Sequence, residues 1–292
     1  MFTFFADESY VDGGEAREYK LSIYGGLILD EDSFRKLTNF IYDLKDSYVY
    51  PQELELKWRF EKVWDNMRKI GRIDKSITKT THPELFRSLK NDYDELKKKV
   101  LNEVSGSAAK IIIAVRPDGF LNISNRKSIE YSIGAAARKF EKLLEREGKF
   151  GIILADELPK KVKDNAVMDY EYIIQLCCRG SNAVSFHHLI SIVPTINSNV
   201  SPIHQINDIV LGAVQYYILE FIRKINDPSR DMDLAKSLVT QFKDNFYKSI
   251  DNRYIINSGI LLYPPKNTRR GTRAGIFLDK LEAQLKADFN II

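Results

Sequence analysis

Three aspartates are placed so that each one ends an apolar segment or starts an amphipathic one. Asp7 follows the apolar run at residues 2–6, Asp156 follows the run at 150–155, and Asp208 lies in the first turn of a helical pattern that begins at His204. Carboxylates gathered at one edge of a sheet repel one another unless they share a cation, and Mg²⁺ or Mn²⁺ prefers such oxygen ligands. Two such ions, about 3.5–4 Å apart, activate water and stabilise the leaving oxygen of a phosphodiester.

The acids next to these aspartates rank below them. Successive strand residues point to opposite faces, so Asp7 and Glu8 are not expected to bind the same ion. We predict Asp7 as the ligand, with Glu8 positioning it or contacting substrate, and the same logic ranks Asp156 above Glu157. A plainer interpretation remains for each aspartate, because strand-end aspartates often form turns and Asp208 would also favour the positive end of its helix.

An alternating segment after the first helix supplies two further candidates. In extended form, residues 53–59 would place Glu55 and Lys57 on one face together with the other charged side chains of the segment. Glu55 is then a candidate fourth carboxylate, and Lys57 could hold the scissile phosphate. A solvated charged face explains the same alternation.

The helix that carries Asp208 has three more residues of interest. Gln205 lies three residues before Asp208 and Gly212 lies four after it, which places both on the same helix side. An amide and a bare backbone patch suit a site entered by a bulky substrate, although core packing would explain Gly212 equally well. His204 is a weaker candidate on this helix.

Basic residues in two segments are candidate contacts to a phosphate backbone. They are Lys160, Lys161 and Lys163 after the Asp156 run, and Arg269, Arg270 and Arg273 in a loop flanked by Pro and Gly. Exposed loops are often basic for solubility alone, which is the alternative explanation.

The elements that must position these residues alternate between strand and helix patterns. The chain begins with a strand covered on both faces, and residues 19–29 form a second strand that returns on it as a hairpin. A helix follows to about residue 48, and further buried strands are predicted at 108–115, 150–155 and 184–193. Long helices are predicted at 125–147 and 204–225. This order predicts an α/β fold with a mixed sheet flanked by helices.

We predict one central domain at residues 1–225, which contains an insertion or lid, and an accessory part after it. Residues 50–82 are basic and poor in aliphatic side chains, which suggests an insertion or lid rather than core. Residues 226–292 are predicted to form an accessory C-terminal helical segment packed on the domain. The pair Gly25 and Gly26 is unusual inside a strand and indicates a bulge or a close backbone approach.

Composition is that of an ordinary globular chain. The 292 residues are 44% hydrophobic and 29% charged, with a net charge of +4. The longest apolar runs are far shorter than the roughly 18–20 residues that cross a bilayer, and no signal peptide is expected. The adjacent Cys177 and Cys178 suit neither an ordinary disulfide nor a zinc site, so a cytoplasmic protein is predicted.

The same motifs, in their order along the chain, resemble the uncharacterised DUF 3800 domain family. The resemblance covers about residues 1–220 and rests on Asp7-Glu8-Ser9, the stretch around Glu55, the strand ending in Asp156, and the residues from Gln205 to Val210. It implies an RNase H-like, metal-dependent nuclease found among phage-defence and mobile-element genes. Tyr10 and Asn207 depart from the family pattern without removing a carboxylate.

Sequence reasoning leaves three functions open. The first is hydrolysis of DNA or RNA by an RNase H-like nuclease, with Asp7, Asp156 and Asp208 as metal ligands. The second is an RNase H-like module that binds nucleic acid or a partner protein without cleaving it. The third is an effector component that is active only beside a partner protein.

Overall fold

The computed structural model describes residues 1–12, 20–117, 125–156, 186–194, 201–248, 255–268 and 271–289. The strands are β1 (Phe2–Asp12), β2 (Lys20–Leu29), β3 (Lys110–Pro117), β4 (Gly151–Ala155), β5 (Leu189–Pro194) and β6 (Ile260–Leu262). The helices are α1 (Glu31–Ser47), α2 (Phe60–Lys69), α3 (Pro83–Ser105), α4 (Asn125–Glu147), α5 (Pro202–Asn226), α6 (Asp233–Gln241) and α7 (Arg273–Phe289).

The strands form one mixed sheet in the order β5-β4-β1-β2-β3-β6. β1, β2 and β3 are consecutive antiparallel neighbours, whereas β4 lies parallel to β1 and β5 parallel to β4. The α/β fold predicted from sequence is confirmed, and the order of the first five strands is consistent with an RNase H-like arrangement. β1 lies between β2 and β4 and continues to Asp12, so the prediction that this strand ends at Asp7 is wrong: Asp7 lies within the strand and is paired with Gly25 of β2.

Alternating side chains of β1 pack into two separate cores, as the sequence predicted. Phe5 and Val11 belong to the larger core, which α1, α3 and α5 cover on one face of the sheet. Phe4 and Ala6 belong to a smaller core under α4 on the other face. Asp7 has the same strand parity as Phe5, so it lies on the α5 side.

The two consecutive glycines in β2 permit close approaches, one to helix α5 and one to the backbone of the neighbouring strand β3. A Cβ on Gly26 would lie 2.2 Å from the side-chain oxygen of Asn207 on α5, and a Cβ on Gly25 would lie 2.1 Å from the carbonyl oxygen of Ile112. Both residues also have a positive φ, which side chains disfavour. The close approach predicted from this pair is confirmed, and it brings α5 down onto the strands that carry the site.

The segment 50–82 differs from the expectation of a peripheral insertion. The buried side chains of α2, which are Phe60, Val63, Trp64 and Met67, belong to the larger core together with Leu54 and Leu56. Their spacing of three and four residues is that of an apolar helix stripe. The description of this segment as lying outside the core is therefore wrong, whereas closure over the site as a lid stays a prediction.

Two predicted boundaries change for similar reasons. The C-terminal part is more than a helical accessory, because β6 extends the sheet beside β3. β5 begins at Leu189, so His187 and His188 precede the strand, and their backbone N–H groups donate to the buried Glu141 carboxylate at 2.8 and 3.1 Å. Within the described part of the chain, no helix combines the length and apolar character needed to cross a bilayer.

Candidate active site at the sheet edge

Asp7 and Asp156 occupy equivalent positions on neighbouring parallel strands. Ala6 of β1 is paired with Ala155 of β4, and the backbone N–H of Asp156 donates to the Ala6 carbonyl at 2.8 Å. Adjacent strands lie about 4.8 Å apart, and side chains in register on parallel strands share a face. The two aspartates therefore stand side by side, Asp156 directly after the end of β4 and Asp7 within β1, which continues to Asp12 beside β2.

Asp208 reaches the same edge from helix α5. This helix starts at Pro202 behind a Ser201 cap and packs on β1 and β2, where Gly26 leaves room for Asn207. Asn207 is fully buried, and Asp208 is the next residue along the helix. The carboxylate of Asp208 interacts electrostatically with both Asp7 and Asp156. The three aspartates predicted from sequence are thus brought together.

The pKa values of Asp7 and Asp208 are both raised at this buried, acidic position. Burial raises the pKa of Asp7 to about 8, and the charges of Asp156 and Asp208 add to the shift. Asp7 as a whole residue is partly exposed to solvent, but its carboxylate is surrounded by protein, so burial dominates the change in pKa. Burial also raises the pKa of Asp208, against the opposing influence of Lys57 and of the Trp58 N–H. Strong shifts of this kind mark functional sites more often than ordinary surface.

Lys57 is the cation of the site. Its ammonium forms an ion pair with Glu55 at 2.6 Å, and both side chains are largely shielded from solvent. Burial alone would lower the pKa of Lys57, but the carboxylates of Asp208, Glu55 and Asp7 raise it above its ordinary value. Lys57 and Glu55 therefore face the aspartates, as the alternation of residues 53–59 predicted.

The backbone of residues 56–58 is anchored residue by residue. The N–H of Leu56 donates to the Gln205 side chain at 3.2 Å, and the N–H of Trp58 donates to Asp208 at 2.5 Å. Between them, the Tyr93 hydroxyl accepts from the Lys57 N–H at 2.9 Å and donates to the Lys57 carbonyl at 2.6 Å. Helices α5 and α3 thus hold this extended segment from two sides and fix where Lys57 points.

Gly212 has a packing role in the same arrangement. A Cβ at this position would lie 2.1 Å from Cγ of Trp58, so the indole lies directly on the bare helix backbone. Gln205, Asp208 and Gly212 form one stripe of α5 that holds the segment. Of the two explanations that the sequence left open for Gly212, packing is the one observed, because the bare backbone contacts the protein's own Trp58.

Two residues of the site were missed by sequence reasoning. An open cavity of about 480 Å³ is lined by Asp208, Lys57, Glu8 and Ser9, among others. The Ser9 hydroxyl in this wall donates to the side chain of Gln215 at 2.9 Å. Gln215 continues the α5 stripe three residues after Gly212, so the helical spacing was the signal that could have found it.

The remaining candidates divide into three groups. Glu8 lines the cavity and so stays a candidate substrate contact, whereas Arg273 is exposed at the start of α7. His204 is buried, its ring bonds to the Ser201 hydroxyl at 2.8 Å, and burial lowers its pKa, which suits a structural residue. Glu157, Lys160, Lys161, Lys163, Arg269 and Arg270 lie outside the described residues.

The donor set fits a hard divalent cation in kind. Asp7, Asp156 and Asp208 offer carboxylate oxygens alone, and a bound cation would oppose the burial and the neighbouring negative charges that together raise the pKa of Asp7. As the side chains stand, no three acidic, His or Cys residues in the described ranges are grouped tightly enough to hold an ion. Coordination would therefore require the carboxylates to turn toward one another.

Comparisons with known proteins leave the class of this chain to be argued from its geometry. Comparisons with protein-family models, with curated proteins and with solved structures return no match. The fold and the acidic edge therefore carry the functional argument alone.

Proposed function

We propose that this chain is a divalent-metal-dependent phosphodiesterase that cleaves nucleic acid at the acidic sheet edge, in the manner of an RNase H-like nuclease. The observation that carries the proposal is the register of Asp7 and Asp156 on adjacent parallel strands, with Asp208 supplied by α5. The DUF 3800 resemblance and a cytoplasmic location are parts of the same proposal.

Each residue has a role in this proposal. Asp7, Asp156 and Asp208 would hold Mg²⁺ or Mn²⁺, with Glu55 as a possible fourth ligand. When bound, such ions polarise the phosphate and lower the pKa of water. Lys57 stabilises the charge that develops on the phosphate oxygens, since its ammonium already faces the acids from an anchored backbone.

The direct test is calorimetric titration with Mn²⁺, alongside a cleavage assay on labelled single- and double-stranded DNA and RNA. We expect wild type to bind Mn²⁺ and cleave, and Asp7→Asn and Asp156→Asn to lose both. Asp43→Asn is the matched control, because it removes an exposed acid from α1 without touching the site. Unchanged Mn²⁺ affinity and cleavage in Asp156→Asn would overturn the proposal.

A second candidate is a binding module that holds nucleic acid without cutting it. The ion pair between Lys57 and Glu55 favours it, because Lys57 already compensates part of the negative charge that would otherwise call for a cation. Salt-dependent binding without turnover under any divalent ion would support this candidate over the nuclease.

A further inference from the structure

A second cavity shares Trp58 with the acidic cavity. It has a volume of about 350 Å³ and lies between α3, α5 and α6. Its walls include two aromatic rings and three lysines: Trp58, Tyr216, Lys90, Lys97 and Lys98. We call it the aromatic groove. Its volume is within the range of about 300–1,000 Å³ that is usual for small-ligand sites.

The two rings of the groove are held by different means. Trp58 rests on Gly212, and the ammonium of Lys97 lies 4.3 Å from the centre of its ring. Tyr216 lies 6.2 Å from Trp58, centre to centre, and is half-buried on the wall of the cavity. Tyr216 is therefore the ring on which a flat ligand can stack, with Trp58 as its fixed neighbour.

The charge of the groove is positive. Lys90, Lys97 and Lys98 line it against a single lining carboxylate, Asp94. Asp94 pairs with both Lys90 and Lys97, at 2.9 and 2.7 Å, and the exposed Lys98 pairs with Glu95 outside the groove. Exposed pairs of this kind are weak because water screens them, so Lys90 and Lys98 are available to an anionic ligand.

The groove is a neighbour of the acidic site. Trp58 lines both cavities, and its backbone N–H is bonded to Asp208. Arg59 and Lys62 line the acidic cavity and add positive charge to it. Both cavities that meet at Trp58 therefore offer cations to the phosphates of one bound strand.

We propose that the aromatic groove binds one unpaired nucleotide of a single-stranded nucleic acid, with its base stacked on Tyr216 and its flanking phosphates on Lys90 and Lys98. This inference rests on the proposed function, since it names the substrate class of the same site. A single strand is required because the bases of a duplex are already stacked on each other and cannot cover Tyr216.

The proposal is tested by binding a fluorescein-labelled oligo(dT) or oligo(U) strand in EDTA, with anisotropy as the readout. Tyr216→Leu should weaken binding roughly 5- to 150-fold, the usual effect of losing one stacked base, and leave the salt dependence unchanged. Tyr216→Phe keeps the ring and should bind as wild type does.

The double variant Lys90→Gln/Lys98→Gln should act on the salt dependence instead. Losing two phosphate contacts should lower the slope of log K against log salt by about 1.4. Lys36→Gln/Lys99→Gln removes the same charge from outside the groove, where Lys36 pairs with Glu103 and Lys99 covers Tyr48, and should leave the slope near that of wild type.

The outcomes separate this inference from the proposed function. Equal binding of the single strand by wild type and Tyr216→Leu, or an unchanged slope in the Lys90→Gln/Lys98→Gln variant, would overturn the groove as a nucleotide site. Cleavage with Mn²⁺ would then still support the nuclease. The expected binding pattern without cleavage under any divalent ion would keep the groove and reject the nuclease.

Discussion

Trp58 donates its backbone N–H to the carboxylate of Asp208 at 2.5 Å, although the two residues are 150 positions apart in the chain. This bond joins the extended segment 56–58 to the helix that carries the third aspartate. It also occupies one oxygen of Asp208, which orients the carboxylate before any ligand arrives. The geometry of the acidic edge therefore depends on groups outside it, and each of these can be tested.

Asp7→Asn should stabilise the protein at neutral pH in the absence of metal. The pKa of Asp7 rises from its ordinary 3.8 to about 8 on folding. Between these values the folded state holds the proton that the unfolded state releases, so the stability of wild type falls as pH rises from about 4 to 8. Thermal unfolding across this range should show a smaller fall for Asp7→Asn and a higher Tm near pH 8. If the two proteins gave superimposable pH profiles, folding would not raise the pKa of Asp7.

Lys45→Met should change the alkaline side of the same profile. Lys45 is buried in α1 and donates to the Gln52 carbonyl at 2.9 Å, and burial lowers its pKa to about 8. Between about pH 8 and 10 the unfolded state keeps a proton on Lys45 that the folded state has released. This lysine therefore makes stability rise with pH in that range. That rise should be absent from the denaturation profile of Lys45→Met. Exposed Lys36→Met is the control and should keep it.

Tyr93→Phe should remove the hydrogen bonds that hold the extended segment 56–58 on α3. The change removes the hydroxyl that bonds both the N–H and the carbonyl of Lys57, and it leaves these groups without that partner in a shielded site. We expect a loss of about 1–3 kcal/mol in the free energy of unfolding, measured in urea. Cleavage should fall more than Mn²⁺ affinity, because Lys57 moves while the aspartates stay. The neighbouring Tyr50→Phe, which removes a hydroxyl from a ring packed on Tyr93, should retain cleavage.

Gly212→Ala should destabilise the protein although alanine favours helix. The gain in helix propensity is about 1 kcal/mol, whereas the new Cβ would stand 2.1 Å from Trp58 and must displace it. Overpacking of this kind costs about 1–3 kcal/mol, so the net change is a loss, together with a shift in Trp58 fluorescence. Gly106→Ala is the control, because a Cβ there meets only ordinary contacts at 3.7 Å or more. Unaltered stability and fluorescence in Gly212→Ala would refute the packing argument.

The periodicity of apolar residues along the chain predicted those parts of the fold that depend on sequence neighbours. The two faces of β1 and the position of Asp156 directly after β4 follow from strand periods and from where these periods stop. The helix stripe of Phe60, Val63 and Trp64 was equally visible, but the basic character of the segment outweighed it. Charge and core packing occupy different faces of the same helix, so one did not exclude the other.

The missed features depend on contacts between distant parts of the chain. Ser9 meets Gln215 across 206 positions, and Tyr93 meets Lys57 across 36. Helical spacing could mark Gln215 as part of the α5 stripe, but nothing local in the sequence indicates the partner of either pair. β6 has only three residues and acquires its strand geometry from pairing with β3. Such elements become predictable only once the sheet order is known.

The order of the aspartates along the chain has a consequence for synthesis on the ribosome. Asp7 is made before its neighbour Asp156, and Asp208 is made later still, on a helix that must then pack across β1 and β2. A nascent chain that ends before α5 carries two of the three acids and lacks the helix face that anchors the backbone beside Lys57. The acidic centre is therefore complete only after α5 has been synthesised.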